Sequence, residues 1–72
     1  MFMISLEEIQ QRLAEEIRQS GMTQAEIAKR LGIKHQQISC YLKGQKMPAL
    51  DTFANLCRIL DVSSDEILGL KD

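Results

Sequence analysis

The stretch of residues 23–44, TQAEIAKRLGIKHQQISCYLKG, constrains the fold of this chain more than any other. Ala28 stands where two helices would cross, because only a small side chain permits a close approach there. Gly32 follows where the chain must leave the first helix, at a positive φ that glycine adopts without steric cost. Ile38 is then the apolar anchor of a second helix, so the spacing predicts two short helices joined by a tight turn. The predicted helices cover residues 23–31 and 34–43, and the turn covers residues 32–33.

Two helices joined in this way form a helix-turn-helix, although any helical hairpin could share so few positions. The chain matches the pattern of one helix-turn-helix family over a longer stretch, in one register between Met22 and Leu70. The matching segments are MTQAEIAKRLGI, HQQIS, YLKG and PALDTFANLCRILDVSSDEIL. Over about two-thirds of its length the chain resembles the phage repressor and Cro-like helix-turn-helix family, also called the XRE-like family. The resemblance implies an all-α fold, a compact five-helix lambda-repressor-like DNA-binding domain with the helix-turn-helix at helices two and three.

Capping residues and apolar spacing predict the remaining helices over about residues 6–20, 50–60 and 64–70. With 72 residues, we expect one domain over residues 1–72, with the motif core at 22–44. Three capping boxes are predicted, at Ser5 and Glu8, Thr23 and Glu26, and Ser63 and Glu66. The side chains predicted to face inward are Leu6, Ile9, Leu13 and Ile17 in helix one, Ile38, Tyr41 and Leu42 in helix three, and Leu50, Phe53, Ala54, Cys57 and Leu60 in helix four.

The net charge of −1 alone argues against a nucleic-acid partner, but the charge is unevenly distributed. Residues 21–48 have a balance of +4, whereas residues 1–20 have −2 and residues 49–72 have −3. A local basic face is what phosphate binding requires, and the total charge matters less. The alternative is a basic face that is only solvated.

Helix three carries side chains suited to reading DNA. Glutamine offers one donor and one acceptor, which match N6 and N7 of adenine in the major groove, and Gln36 and Gln37 open the outward face of this helix. By resemblance, the base-reading positions are His35, Gln36 and Cys40. Cys40 departs from the family, where this position is more often polar or long. Ordinary polar surface is the alternative for this face.

Other polar residues are expected to contact the sugar-phosphate backbone. Gln24 lies in the first turn of helix two, where free N–H groups can bind an anion, and the resemblance implies that it grips a phosphate. Lys34 stands where the family usually has a Ser or Thr cap, and its charge becomes favourable beside a phosphate. Plain solvent exposure is the alternative for Gln24 and for each loop residue. The predicted backbone contacts are Gln24, Lys34, Gln37, Lys43, Gln45 and Lys46.

A second copy of the chain is the expected partner besides double-stranded DNA, because one small module reads too few base pairs for useful specificity. Met47, Pro48, Leu68 and Leu70 are predicted to form the apolar dimer interface. Burial within one subunit, or contact with residues 1–3, is the alternative.

The sequence thus predicts a sequence-specific DNA-binding transcriptional regulator, a repressor acting as a dimer on an inverted repeat. The acidic outer segments favour an alternative, a protein-interaction module such as an antitoxin or an anti-repressor. An enzyme is disfavoured, because the single histidine has no Asp or Ser partner at a telling position and no Gly-rich phosphate loop is present.

No cofactor and no metal site are predicted. Cys40 and Cys57 lack CxxC spacing, and with His35 they have the wrong number and spacing for a metal site, so two free thiols are expected. The initial MFMI is short and has no basic n-region, so it is not a signal peptide. No transmembrane stretch is present, and we expect a cytoplasmic protein.

Overall fold

The computed structural model describes residues 3–70, and this part of the chain contains five α-helices and no strand. The helices are α1 (Leu6–Gln19), α2 (Gln24–Leu31), α3 (His35–Leu42), α4 (Leu50–Leu60) and α5 (Ser64–Leu68). The predicted all-α fold, with a helix-turn-helix at the second and third helices, is confirmed. No helix between residues 3 and 70 is long and apolar enough to cross a membrane.

Two of the three predicted caps are present. Ser5 Oγ accepts a hydrogen bond from the Glu8 N–H at 3.2 Å, and Thr23 Oγ1 accepts one from the Glu26 N–H at 3.1 Å. The third prediction is wrong, because the side chain of Ser63 accepts no capping hydrogen bond. The N–H of Glu66 donates instead to the backbone oxygen of Ser63 at 3.2 Å, so the first turn of α5 is closed by the main chain.

The turn between α2 and α3 has the predicted geometry. Gly32 adopts φ +72°, and its N–H donates to the carbonyl oxygen of Lys29 at 3.3 Å. The N–H of Ile33 donates to the carbonyl oxygen of Ala28 at 3.0 Å. This pair of bonds is a Schellman motif, which satisfies two carbonyls that the end of the helix would leave unpaired. Ala28 itself is buried, as expected for a residue at the helix crossing.

All five helices contribute to one hydrophobic core, so none of them is an appendage. Buried polar or charged residues are absent from the described part of the chain. Leu13, Ile27, Ile38, Leu56 and Ile67 are the largest fully buried side chains, one from each helix. The other buried residues are Ala14, Ile17, Ala28, Tyr41, Phe53 and Cys57.

Three of the predicted core residues are wrong. Leu6 is 58% exposed and Leu50 is 87% exposed. Each is the first residue of its helix, where a side chain leans back beyond the helix end rather than across the packed face. Ala54 is also exposed. The buried stripe of α4 has the i, i+3, i+4 spacing that starts at Phe53, so it includes Leu56, and Ala54 lies ~100° round the helix from it.

Arg12 ties α1 to α5. Its Nε donates to the backbone oxygen of Ile67 at 2.7 Å, and its Nη1 lies 3.7 Å from Glu8 Oε2, one helical turn before it. A cation that binds a carbonyl near the C-terminus of a helix is favourable for the helix dipole. A Cβ at Gly69 would lie 2.6 Å from Arg12 Nη2 and would displace the end of that side chain, and the φ of +79° at this residue itself favours glycine.

Candidate nucleic-acid interface

Helix α3 has one buried face and one open face. Ile38 is fully buried and Tyr41 nearly so, which fixes the helix on the core. On the other side, His35 and Gln36 are exposed and Cys40 is half-buried. Gln36 and Cys40 are four residues apart and therefore lie on the same face of the helix. The structure thus brings the three residues predicted to read bases onto one accessible side of α3.

The start of α3 is open to solvent and has no side-chain cap. Lys34 occupies the cap position in an extended conformation, and its ammonium group cannot accept hydrogen bonds from the first turn. No acidic residue lies in that turn. A helix start of this kind loses about 1 kcal/mol relative to one capped by Ser or Thr. The N–H groups of His35 and Gln36 therefore remain available to an external acceptor such as a phosphate oxygen, whereas the Gln37 N–H donates to the Lys34 oxygen at 3.0 Å.

The basic residues of the motif are all accessible, as phosphate contacts must be. One of them, Arg30, has its charge partly balanced by Glu26, with 3.9 Å between Nη2 and Oε1. Such an exposed pair contributes little to stability. Gln24, in the first turn of α2, is also exposed. The exposed basic side chains are Lys29, Arg30, Lys34, Lys43 and Lys46.

The end of α3 is defined by a second Schellman motif. Gly44 adopts φ +70°, its N–H donates to the Tyr41 oxygen at 3.2 Å, and the Gln45 N–H donates to the Cys40 oxygen at 3.0 Å. Gly44 therefore ends the helix as a C′ glycine. The reversal turns the following loop back along α3, so that Lys46 Nζ lies 3.5 Å from Gln37 Oε1 in the first turn of the helix.

Side chains of α1 also hold this end of α3. Gln10 Nε2 donates to the Gly44 oxygen at 3.2 Å, and Arg18 Nη2 donates to the Leu42 oxygen at 3.4 Å. Sequence analysis missed both residues, since it treated α1 as structural packing alone. No local signal could have found them, because the contacts join residues 34 and 24 positions apart.

An open groove of about 420 Å³ lies between α1 and the end of α3. It is open to solvent along its length, unlike the enclosed clefts that bury most of a small-molecule ligand. Its charged side chains are two carboxylates and two cations, and it has no Ser, Cys or His side chain in its walls. The lining residues are Glu7, Gln10, Gln11, Ala14, Glu15, Arg18, Leu42, Lys43 and Gly44.

The two cysteines are free thiols in different settings, Cys40 half-buried and Cys57 buried. Burial raises the pKa of the Cys57 thiol above its ordinary value, so this residue is a small neutral core side chain. Burial also raises the pKa of the Tyr41 hydroxyl, and the neighbouring Cys40 adds to the shift. Among residues 3–70, no three His, Cys, Asp or Glu side chains cluster as metal ligands would.

The residues predicted to form a dimer interface differ in exposure. Leu70 is 63% exposed, whereas Met47 and Pro48 are half-buried. Leu68 is half-buried and packs against the core of its own subunit. The alternative contact with the N-terminus falls largely on Met1 and Phe2, outside the described residues, and Met3 is 81% exposed. Leu50, which sequence analysis assigned to the core, lies two residues after Pro48 and is exposed.

Comparison with known proteins agrees with this geometry. The sequence profile of a family described as Helix-turn-helix matches residues 13–67. The chain is 37% identical over 62 residues to YobD, an uncharacterised HTH-type transcriptional regulator of Bacillus subtilis (strain 168), covering 86% of this chain and 55% of YobD. It is 36% identical over 58 residues to the HTH-type transcriptional regulator ImmR of the same organism, covering 81% of this chain and 46% of ImmR.

The chain therefore spans about half the length of these two relatives. No solved structure was found to match it. The matched region contains α2, the turn and α3, together with the core residues that support them. The family match over most of the chain, and the helices in the expected order, show that this protein belongs to the XRE-type helix-turn-helix family of transcriptional regulators.

Proposed function

We propose that this chain binds double-stranded DNA sequence-specifically, with α3 in the major groove and α2 across the sugar-phosphate backbone. The observation that carries the proposal is the open start of α3, where exposed Lys34, His35 and Gln36 stand beside a helix face buried at Ile38. A helix fixed on its core by one face and polar on the other can enter the groove without exposing apolar surface.

Within this proposal, base reading and positioning fall to different residues. Gln36 recognises a base through both functions of its amide, His35 adds a contact beside it, and Cys40 meets a thymine methyl group. Phosphate contacts fix the register of the helix and carry no sequence information of their own. These positioning contacts are assigned to Gln24, Lys34, Gln37, Lys43, Gln45 and Lys46.

We further propose a dimer that reads an inverted repeat and acts as a repressor. Met47, Pro48 and Leu70 retain the interface role, and Leu50 joins them because its side chain is 87% exposed. Leu68 contributes less, since it already packs on its own core. Two copies related by a twofold axis would read half-sites about one helical turn apart. A dimer bound across a promoter represses by occupancy, and we place such a regulator in the cytoplasm.

The test is selection of duplexes from a random-sequence pool by the purified protein. We expect one inverted repeat to be recovered. Gln36→Ala should relax the preference at one base of each half-site, by about 1–3 kcal/mol of discrimination. Gln11→Ala is the matched control, because Gln11 is an exposed glutamine on α1 that has no assigned DNA contact. Recovery of no motif by the folded protein would contradict DNA reading by α3.

A protein-interaction module is the second candidate. Its support is the exposed apolar start of the described chain, where Met3, Ile4 and Leu6 are 81%, 41% and 58% exposed beside the glutamates of α1. A chain that selects no duplex but binds a partner through this surface would act as an antitoxin or an anti-repressor. Leu6→Ser would then abolish partner binding, whereas Gln36→Ala would leave it unchanged.

A further inference from the structure

One contact links the loop after α3 to the first turn of α3. Lys46 Nζ lies 3.5 Å from Gln37 Oε1, at the outer limit of a hydrogen bond, and the two residues are nine positions apart. The loop is held in place for this contact, because Gly44 reverses the chain and its carbonyl oxygen accepts a bond from Gln10. The charge of Lys46 also attracts the amide oxygen beyond hydrogen-bond distance.

The chemistry of the two groups determines which way the amide points. An ammonium group has three donors and no acceptor, so it can face only the oxygen of an amide. The oxygen of Gln37 is therefore directed toward Lys46, and its NH₂ group is directed away. A glutamine that recognises adenine needs both groups at once, the oxygen for N6 and the NH₂ for N7. Gln37 in this orientation presents its NH₂ donors outward and keeps its oxygen turned toward Lys46.

Gln36, the neighbouring residue, is the natural comparison. Its side chain is exposed and makes no hydrogen bond to any residue between 3 and 70, so both functions of its amide are free. Gln37 is half-buried and has its acceptor engaged. Two consecutive glutamines on one helix thus differ in what they can recognise.

We propose that Lys46 is a positioning residue that makes Gln37 a donor-only group aimed at a phosphate oxygen, and leaves adenine recognition on this helix to Gln36. The inference rests on the proposed function and deepens it. A phosphate oxygen only accepts hydrogen bonds, so a donor-only amide suits it. Lys46 keeps two further donors on the same ammonium group, so the pair can bind one phosphate together.

The first test needs no DNA. The side-chain amide resonances of Gln37 are measured by ¹H–¹⁵N NMR in the full chain and in Lys46→Met, which keeps the aliphatic stem and removes the charge. Lys43→Met is the matched control, because Lys43 is an exposed lysine at the end of α3 whose side chain makes no hydrogen bond within the described residues. We expect the Gln37 signals to move in Lys46→Met and to stay in Lys43→Met. Gln37 signals that are unchanged in both variants, or that move equally in both, would show that Lys46 does not contact Gln37.

The second test uses the duplexes selected from the random pool. Lys46→Met and Lys43→Met should each reduce the slope of log affinity against log salt by about 0.9, the loss of one phosphate contact. Only Lys46→Met should add a preference for adenine at the base pair facing Gln37, because the freed amide then offers both functions. In a Gln37→Met background the same change should add no preference. An unchanged preference in Lys46→Met overturns the proposal.

The two tests separate the inference from the function on which it rests. If the Gln37 signals move as expected but no duplex is recovered by the native chain, the DNA-binding assignment fails while the Lys46 contact stands. If a duplex is recovered and Gln37→Met weakens binding equally across sequences, by roughly tenfold to a hundredfold, Gln37 is a phosphate donor as proposed. If Gln37→Met instead relaxes the preference at one base, Gln37 reads that base and the proposal is wrong.

Discussion

The two ends of α3 are held in contrasting ways. At its end, the helix is closed by Gly44 and by hydrogen bonds from Gln10 and Arg18 of α1. At its start, no side chain caps it, and Lys34 and His35 are exposed. The difference teaches how a short helix can be both rigid and accessible. The core and α1 fix its axis from one end and one face, so that its other end needs no side-chain cap.

The largest loss of stability is expected at Ile38, the buried residue on which both ends of α3 depend. Ile38→Ala should lower the free energy of unfolding by about 2–5 kcal/mol, because Ile38 is fully buried and the cavity would remain. Leu50→Ala is the control, since 87% of that residue is exposed, and it should change stability by no more than about 0.5 kcal/mol. Urea denaturation measures both. Equal losses in the two variants would mean that Leu50 is buried in solution.

Breaking the closed end of α3 should have the next largest effect. Gly44→Ala should lower the free energy of unfolding by about 1–2 kcal/mol, because a side chain at φ +70° is strained. The added Cβ itself would meet only Gln10 Oε1 at 3.6 Å, an ordinary contact. Thermal and urea denaturation measure the loss. A Gln10→Ala variant as unstable as Gly44→Ala would show that the α1 contact, rather than the backbone conformation, holds this end.

Adding a cap at the open start of α3 should raise the stability of the protein, whereas the two preceding changes lower it. Lys34→Ser should raise the free energy of unfolding by about 1 kcal/mol, because serine can accept the first-turn N–H bonds that lysine cannot. The same change should weaken DNA binding and lower the salt slope by about 0.9. Denaturation and binding at several salt concentrations separate the two effects. A variant that gains stability and binds DNA with the native salt slope would remove Lys34 from the phosphate contacts.

The smallest effect concerns His35 at the open end. If it contacts DNA, affinity for the selected duplex should rise a few-fold as the pH falls from 8 to 6, because DNA favours the protonated imidazole. Fluorescence anisotropy at constant ionic strength measures this change. His35→Gln keeps hydrogen-bonding ability without the charge change and should give a flat profile. An affinity of the native chain that does not change with pH would show that His35 does not contact the DNA.

Local rules predicted the helix-turn-helix well and α4 and α5 less well. The positive φ of Gly32 and Gly44 and the caps at Ser5 and Thr23 depend on residues a few positions away, so they could be read from the sequence. The exposure of Leu6, Leu50 and Ala54 could not, for two reasons. Apolar periodicity does not determine which of two neighbouring stripes of a helix faces the core. It also does not show that the first side chain of a helix extends beyond the packed surface.

For the candidate site, the sequence predicted which polar residues α3 presents but not how they are held. His35, Gln36 and Cys40 share one accessible side because Ile38 and Tyr41 occupy the other, and that follows from helical spacing. The hydrogen bonds by which Gln10 and Arg18 of α1 hold the end of α3 do not follow from helical spacing. Whether these residues contact DNA remains a prediction that the selection experiment tests.

By itself, then, the sequence determined the helices, the two glycine turns and the polar face of α3. These features follow from interactions over a few residues, where backbone sterics and capping decide the outcome. Only the tertiary structure decided that Gln10 and Arg18 hold the end of α3, that Arg12 ties α1 to α5, and that Lys46 engages one glutamine of a pair. The contacts from α1 join residues 24 to 55 positions apart, and the Lys46 contact depends on the path of the loop after Gly44. Packing of the core brings these groups together, and no local preference in the chain encodes it.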